Sequence, residues 1–412
     1  MIRLRQMSRD ERVRHLDNAR QIAAIFTAFT LPLSTSLQAI GVTVLAILSI
    51  ELLIREPHRL TTVMRDPAAY LPVVLVALLL IGVTWSMLPL GGAIKWVGPY
   101  AKLLLIPLLM ATAFTPRQVL RIGFGFLAGC LIVMIVSYVS LLWRSGPWWV
   151  FAGPGVPWKD NAIQSECFAL CAFGLAYAAS RFWVQGDRPR AGAVAMLALL
   201  FFANIFLILI SRTGALVALS LFGLLLFQLA GWRRALLIGV PLAMIGATAL
   251  WTLPGVKDRI AEVSNGLSMP SRELNAASTA SRVDFWTKAL SFVRAAPLIG
   301  HGTGSIRPLY QSREATAPSP YGGATADPHN QFLHVVLQIG LIGGLILLAM
   351  WVAHAVLFLD RGVVGLFGLA AVWLNVLGSL FNSHISQVTQ GMLYCMAVGL
   401  LGALVLARTR PT

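Results

Sequence analysis

Charge is what this sequence has least of. Only 12% of its 412 residues are Asp, Glu, Lys or Arg, while 57% are hydrophobic. A soluble domain carries about 25% charged residues, so a water-exposed globular surface is excluded. The chain reads as a polytopic membrane protein, and its length is not to be divided into soluble domains. Acidic residues are scarcer than basic ones, 16 against 32, which leaves a net charge of +16. Cysteine is nearly absent: Cys130, Cys167, Cys171 and Cys395 all sit in apolar runs and none forms a CxxC pair. They read as small packing residues and imply no disulfide framework. The carboxylates expected on the outer face (Asp160, Asp258, Glu262, Glu273, Asp284, Glu314, Asp327) are scattered, with no DxD or ExD. A Mg²⁺ or Mn²⁺ site therefore has little support, and no metal or other cofactor is expected. There is no nucleotide-binding Walker motif and no GxSxG nucleophile motif. Nothing points to nucleic acid.

What is present is a series of apolar segments near the length of about 20 residues that a span requires. They fall at 20–36, 37–54, 70–88, 92–113, 117–143, 161–183, 190–210, 212–230, 234–253, 329–358, 362–381 and 386–407. About twelve transmembrane helices in an all-α fold are expected, with Pro32 breaking or kinking the first. An even number puts both termini on one side. Basic residues identify that side: the N-terminal run Met1–Arg20, Arg55/Arg59/Arg65, Arg117/Arg121, Arg181/Arg188/Arg190, Arg233/Arg234, Arg361 and Arg408/Arg410 fall on every alternate connection. This face is read as cytoplasmic. The N-terminal run lacks a clean small-residue cleavage site and is read as a tail, not a signal peptide.

Residues 1–412 thus read as a single transmembrane domain, with a large periplasmic loop at 254–328 inserted between the ninth and tenth spans. A medium loop, Arg144–Asp160, carries Trp148, Trp149 and Trp158, which suit the headgroup level. Within the large loop, Ser281-Arg282-Val283-Asp284 resembles a capping box. Apolar residues then recur at helical spacing from Phe285 to Ala296, and Pro297 and Gly300 follow. An amphipathic helix is expected over 282–296, lying on the membrane or the bundle. Gly300-His301-Gly302-Thr303-Gly304 lacks the strand–helix context of a phosphate loop and reads as a turn.

Three stretches concentrate the chemistry. Arg212, in Ser211-Arg212-Thr213-Gly214, stands between two adjoining spans on the face where positive charge is disfavoured. It is either a snorkelling interfacial arginine or an anion-binding group with little loop to solvate it. Arg282 opens the expected amphipathic helix, where a cation gains little without an anion beside it. His329 lies in Asp327-Pro328-His329-Asn330, at the boundary between the loop and a long apolar helix. With Asp327 as N-cap and Pro328 as the first helical residue, His329 falls in the first turn. There it suits either capping and packing or, as a neutral imidazole near an anion, a general base. His334, five residues on, lies on another face, so the two do not make a metal pair. A histidine, several arginines and an apolar bundle fit a lipid diphosphate: the arginines neutralise the leaving group while the histidine deprotonates an attacking hydroxyl. A transporter or flippase would favour related halves and repeated deep polar positions, whereas Lys95, Lys102 and Gln164 form no repeat.

These stretches, in this order, resemble the O-antigen ligase family: Ser211–Gly214, then Ser281-Arg282 with Phe285-Trp286, then Pro297-Leu298-Ile299-Gly300, then Pro328–Leu333 followed by Gly340. O-antigen polymerases and some protein O-oligosaccharyltransferases share that superfamily. The resemblance covers the second half of the chain; the first half matches only as apolar spans. It implies an inner-membrane, GT-C-like glycosyltransferase with a periplasmic active site and no metal or nucleotide. The donor would be a polysaccharide on undecaprenyl diphosphate and the acceptor a sugar hydroxyl of the lipid A core. By position, His329 matches the family histidine, with Asn330 supporting it, and Arg212 and Arg282 match the diphosphate-binding arginines. The family often has a carboxylate shortly before the glycine at Gly340; here Gln338 stands there.

Overall fold

In a computed structural model the described residues are 9–112, 114–143, 155–209, 211–252, 274–319 and 323–409. They form an all-helical bundle. The long helices are α1 (Arg9–Thr30), α2 (Thr35–Arg55), α3 (Pro67–Ile81), α4 (the irregular run Leu90–Thr112), α5 (Pro116–Leu142), α6 (Asn161–Val184), α7 (Arg188–Asn204), α8 (Arg212–Thr252), α9 (Leu274–Ala295), α10 (Ile306–Thr316), α11 (Gln331–Phe358), α12 (Gly362–Ser379) and α13 (Val388–Thr409). Local chemistry sets many of the starts. Asp66 caps α3 with Pro67 behind it, Thr115 and Gln118 form a capping box ahead of α5, and Asp160 caps α6. Each satisfies a backbone N–H that the first turn would otherwise leave unpaired.

Among the described residues, ten helices are long and apolar enough to cross a membrane, against the twelve expected. The expected first span, 20–36, is not one of them. Its helix, α1, carries seven charged residues up to Arg20 and ends at Thr30, so its uncharged part is too short for a bilayer core. It packs on α2 and α5. Arg20 is buried at its midpoint, reaching Asp17 at 2.7 Å and the Thr112 carbonyl at 3.0 Å. The expected ninth span, 234–253, is the second exception. The backbone continues as helix past a break at Gly231 (φ +74°) to Thr252, but the side chains of most of this stretch lie outside the described residues. Trp148, Trp149 and the whole segment 253–273 also lie outside them.

The buried core runs through the whole bundle. α6 packs against α7 and α8, α3 against α11, and α13 against α4 and α12. All four cysteines are buried and free. Successive crossings gather the arginine-bearing connections at one end, the basic end. The connections after α3, α5, α7 and α12, together with α9, α10 and the start of α11, gather at the other end, the loop end.

Two expectations at the loop end need correction. The helix predicted over 282–296 begins at Leu274. Ala276, Ala277 and Ala280 are strong helix formers, so the helix runs back through the supposed cap at Ser281. Arg282 therefore sits inside a helix, not at its N-terminus. Asp284 pairs with Lys288 at 2.7 Å instead of closing a capping box. The second correction concerns α11, which starts at Gln331, not at Pro328. Its N-cap is Asn330, whose Oδ1 accepts from the Leu333 N–H at 3.0 Å. Asp327 instead closes a turn, accepting the His329 N–H at 2.8 Å.

α11 is broken. Ile339 and Gly340 leave helical geometry, Gly340 at φ +65°. The loop after α9 fills the break. His301 and Gly302 donate their N–H groups to the carbonyls of Leu337 (3.0 Å) and Gln338 (2.8 Å). Leu341 and Ile342 donate to the carbonyls of Pro297 (2.8 Å) and Leu298 (3.3 Å). Irregular backbone inside a bundle must find such partners. The same loop is tied to α3: the Thr303 N–H reaches the Gly82 carbonyl at 2.9 Å, and Ser86 Oγ donates to the Thr303 carbonyl at 2.7 Å.

Candidate active site at the loop end

His329 precedes its helix and adopts a left-handed backbone, φ +54°. Such a conformation is rare outside glycine but enriched for His, Asn and Asp. The Asp327 turn holds it from one side. Asp327 Oδ1 accepts both the His329 N–H and the Ser383 hydroxyl, the latter at 2.6 Å. The carbonyl of the intervening Pro328 accepts from Trp286 Nε1 at 2.9 Å, which pins the turn to α9.

The imidazole is half-buried and stacks on Phe285 of α9, with ring centroids 6.2 Å apart and planes at 26°. Its Nδ1 lies 3.3 Å from Oδ1 of Asn382, in the turn between α12 and α13. A carbonyl oxygen can only accept, so Nδ1 carries the hydrogen in this arrangement. In the neutral ring, Nε2 then keeps its lone pair. Asn330 donates from Nδ2 to the Leu380 carbonyl at 3.1 Å, joining the start of α11 to the end of α12.

Arg282 is half-buried on α9, one turn before Phe285 and on the same helix face. Burial holds its guanidinium below the ordinary value, the charge of Arg212 adds to that, and Asp327 pulls the other way. Arg212, the exposed first residue of α8, is thus within electrostatic reach of Arg282, and Arg282 is within reach of Asp327 in the His329 turn. Ser211 caps α8, its Oγ accepting from the Gly214 N–H at 3.1 Å. Two cations brought together near a helix N-terminus form a region prepared for an anion.

The remaining histidines, lysines, arginines and carboxylates, with Gln338, divide clearly. His334 is buried and bonded through Nδ1 to Tyr100 Oη at 2.7 Å, and Gln331 Nε2 donates to the same hydroxyl at 2.9 Å. Gln338 is fully buried beneath the loop, its Oε1 accepting the Gly304 N–H at 2.9 Å. His354, near the basic end, contacts Tyr394 and the Ala68 carbonyl. Lys102 is partly buried and donates to the Ser386 carbonyl at 3.3 Å, whereas Lys95 is exposed. Arg294, Arg307 and Arg313 are exposed, while Arg259, Arg272, Asp258, Glu262 and Glu273 lie outside the described residues. Among the described residues no three His, Cys, Asp or Glu side chains are grouped as a metal site.

Sequence reasoning missed two groups. One is Asn382, because no local pattern links it to a histidine 53 residues away. Glu166 was passed over, although an ionisable residue inside an apolar span is itself a signal.

No curated protein matches the chain. A family model described as O-antigen ligase matches residues 196–348. The matched stretch contains Arg212, Arg282, Phe285, Asp327 and His329, together with the broken part of α11 and the loop that fills it. The match runs from α7 into α11, and over that stretch the chain is similar to the O-antigen ligase family.

Proposed function

We propose that this O-antigen ligase-type membrane enzyme is a GT-C-like glycosyltransferase. It moves a polysaccharide from undecaprenyl diphosphate to a sugar hydroxyl of the lipid A core, completing lipopolysaccharide. One observation carries the reading: Arg282 lies within electrostatic reach of both Arg212 and Asp327 of the His329 turn, and the helix that carries Arg282 also stacks Phe285 on the imidazole. The loop end then faces the periplasm and the basic end the cytoplasm of a bacterial inner membrane, with both termini cytoplasmic.

The acceptor hydroxyl attacks the anomeric carbon of the donor sugar. Its proton passes to Nε2 of His329 as the new C–O bond forms. The bond from the anomeric carbon to the diphosphate breaks on the opposite side, and its electron pair leaves with undecaprenyl diphosphate. A single displacement of this kind inverts the anomeric centre. Negative charge grows on the leaving oxygen, where fixed guanidiniums stabilise it more than they stabilise the bound donor. The arginines supply the positive charge, so the step invokes no metal and no nucleotide.

A reconstituted assay tests this reading, with purified protein, undecaprenyl-diphosphate glycan and rough lipopolysaccharide in EDTA without nucleotide. Glycan is expected on the lipid A core, and His329→Ala is expected to lose it by about 10²–10⁴-fold, the range for a general base. Full transfer by a folded His329→Ala protein overturns the role of His329. Longer lipid-linked chains with unmodified core overturn the acceptor and make the enzyme a polymerase.

A further inference from the structure

Glu166 and His384 form a deeply buried carboxyl–imidazole pair outside the site described above, 1% and 0% exposed. His384 Nε2 stands 3.1 Å from Glu166 Oε1. Neither carboxylate oxygen and neither ring nitrogen has an aligned hydrogen bond to any described residue. Each group therefore has the other as its polar neighbour. The His384 ring is also packed on the backbone of α12. A Cβ on Gly378 would stand 1.7 Å from its Cε1, so only glycine leaves room for the ring there.

What surrounds the pair gives it a meaning. Glu166 follows Ser165 on α6, and Ser165 lies under Gly214 so closely that a Cβ there would be 2.2 Å from its own Cβ. Gly214 belongs to the segment that carries Arg212. His384 follows Asn382 and Ser383, which bond to His329 Nδ1 and to Asp327. The next two residues of the same turn, Ile385 and Ser386, donate their N–H groups to Gln331 Oε1 at 2.8 and 3.2 Å. The pair thus joins the helix beneath Arg212 to the turn that holds His329.

We propose that Glu166 and His384 are positioning residues: their contact sets the 382–386 turn so that Asn382 fixes the tautomer and aim of His329. The inference rests on the reading of His329 as general base. A buried carboxyl–imidazole pair is a poor device for stability, because an apolar pair of equal volume does as well or better. What it adds is direction, since one oxygen must meet one nitrogen, and an apolar contact gives no such register.

The test is steady-state transfer by the full-length protein in lipid nanodiscs, with the same donor and acceptor, and with folding checked by size-exclusion profile. Glu166→Gln is expected to lower kcat by about 10–100-fold, the scale for losing the partner that orients a working histidine. Donor KM is expected to stay nearly constant, because Arg212 and Arg282 are untouched. In an Asn382→Ala background, Glu166→Gln is expected to add almost nothing, since its effect travels through Asn382. An equal drop in both backgrounds, or a rise in KM with kcat unchanged, overturns the proposal. Should Glu166→Gln not fold, Glu166→Gln/His384→Gln removes both members and leaves no unmatched charge. It is expected to lose kcat likewise, and full kcat in that protein overturns the proposal. Activity retained in His329→Ala refutes the general-base reading, and this inference with it. An inactive His329→Ala with Glu166 and Asn382 uncoupled refutes this inference alone.

Discussion

Arg212 and Arg282, 70 residues apart in the chain, come from different helices, and their charges disfavour each other. Burial and Arg212 together hold the Arg282 guanidinium below its ordinary value, with Asp327 only partly compensating. On the proposed reading, a dianionic leaving group relieves that repulsion. Guanidinium presents a planar two-point donor, whereas ammonium is a compact point charge. Arg212→Lys and Arg282→Lys are each expected to cut transfer by about 10²–10³-fold, as for removal of one charge-stabilising donor. Single-turnover rates with saturating donor check this. Wild-type rates in both lysine variants would refute a planar diphosphate contact.

At the scale of elements, the break in α11 and the loop after α9 are one unit. Gly340 lies at φ +65°, and a Cβ there would stand 2.0 Å from the Leu298 carbonyl oxygen. Gly340→Ala therefore meets both a left-handed backbone, about 1–3 kcal/mol in itself, and a backbone clash. A lower unfolding temperature in detergent and loss of transfer are expected, and an unchanged melting curve would show that the loop docks differently. The clip between α9 and α10 makes a pH prediction. Burial lowers the Lys288 pKa, but its contacts to Asp284 and Glu314 outweigh burial and raise it. Its contribution is present below the unfolded lysine value of about 10.4 and is lost as pH rises through the higher folded value. Glu314 is lowered, first by Lys288 and then by the Ser319 N–H. Its contribution is present above the unfolded glutamate value of about 4.3 and is lost as pH falls through the lower folded value. Amide exchange in 285–316, corrected for intrinsic rates, is expected to be slowest relative to the spans between those limits. A flat ratio across both limits would remove the clip.

For the whole molecule, the alternation of basic connections predicts the orientation by charge alone. Gln185→Cys, at the basic end, and Ser312→Cys, on α10 at the loop end, are both exposed positions. The native cysteines are buried and serve as a quiet background. In intact spheroplasts, a membrane-impermeant maleimide is expected to label Ser312→Cys and to leave Gln185→Cys unlabelled until lysis. The reverse pattern would turn the molecule over and place the site in the cytoplasm.

Apolar runs, their lengths and the arginines between them determined the bundle, because a bilayer admits few alternatives to helices of one length. Ten expected spans fall on helices. The sequence alone also singled out Arg212, Arg282 and His329, because a charge or histidine beside an apolar run stands out. It misjudged the ends of elements. Helix starts at Ser281 and Asp327 were read from capping patterns, and those patterns yield to alanine propensity at Leu274–Ala280 and to the Asp327 turn at His329. Only the tertiary structure decided what surrounds the histidine. Phe285, Asn382 and Ser383 reach it from two other elements, and the loop at Pro297–Gly302 supplies the backbone partners for a broken α11. Contacts across 36 to 56 residues leave no local periodicity to read. Burial brought Glu166 and His384 within 3.1 Å, because a carboxyl and an imidazole enclosed in apolar surroundings have no water to satisfy them and must meet a partner.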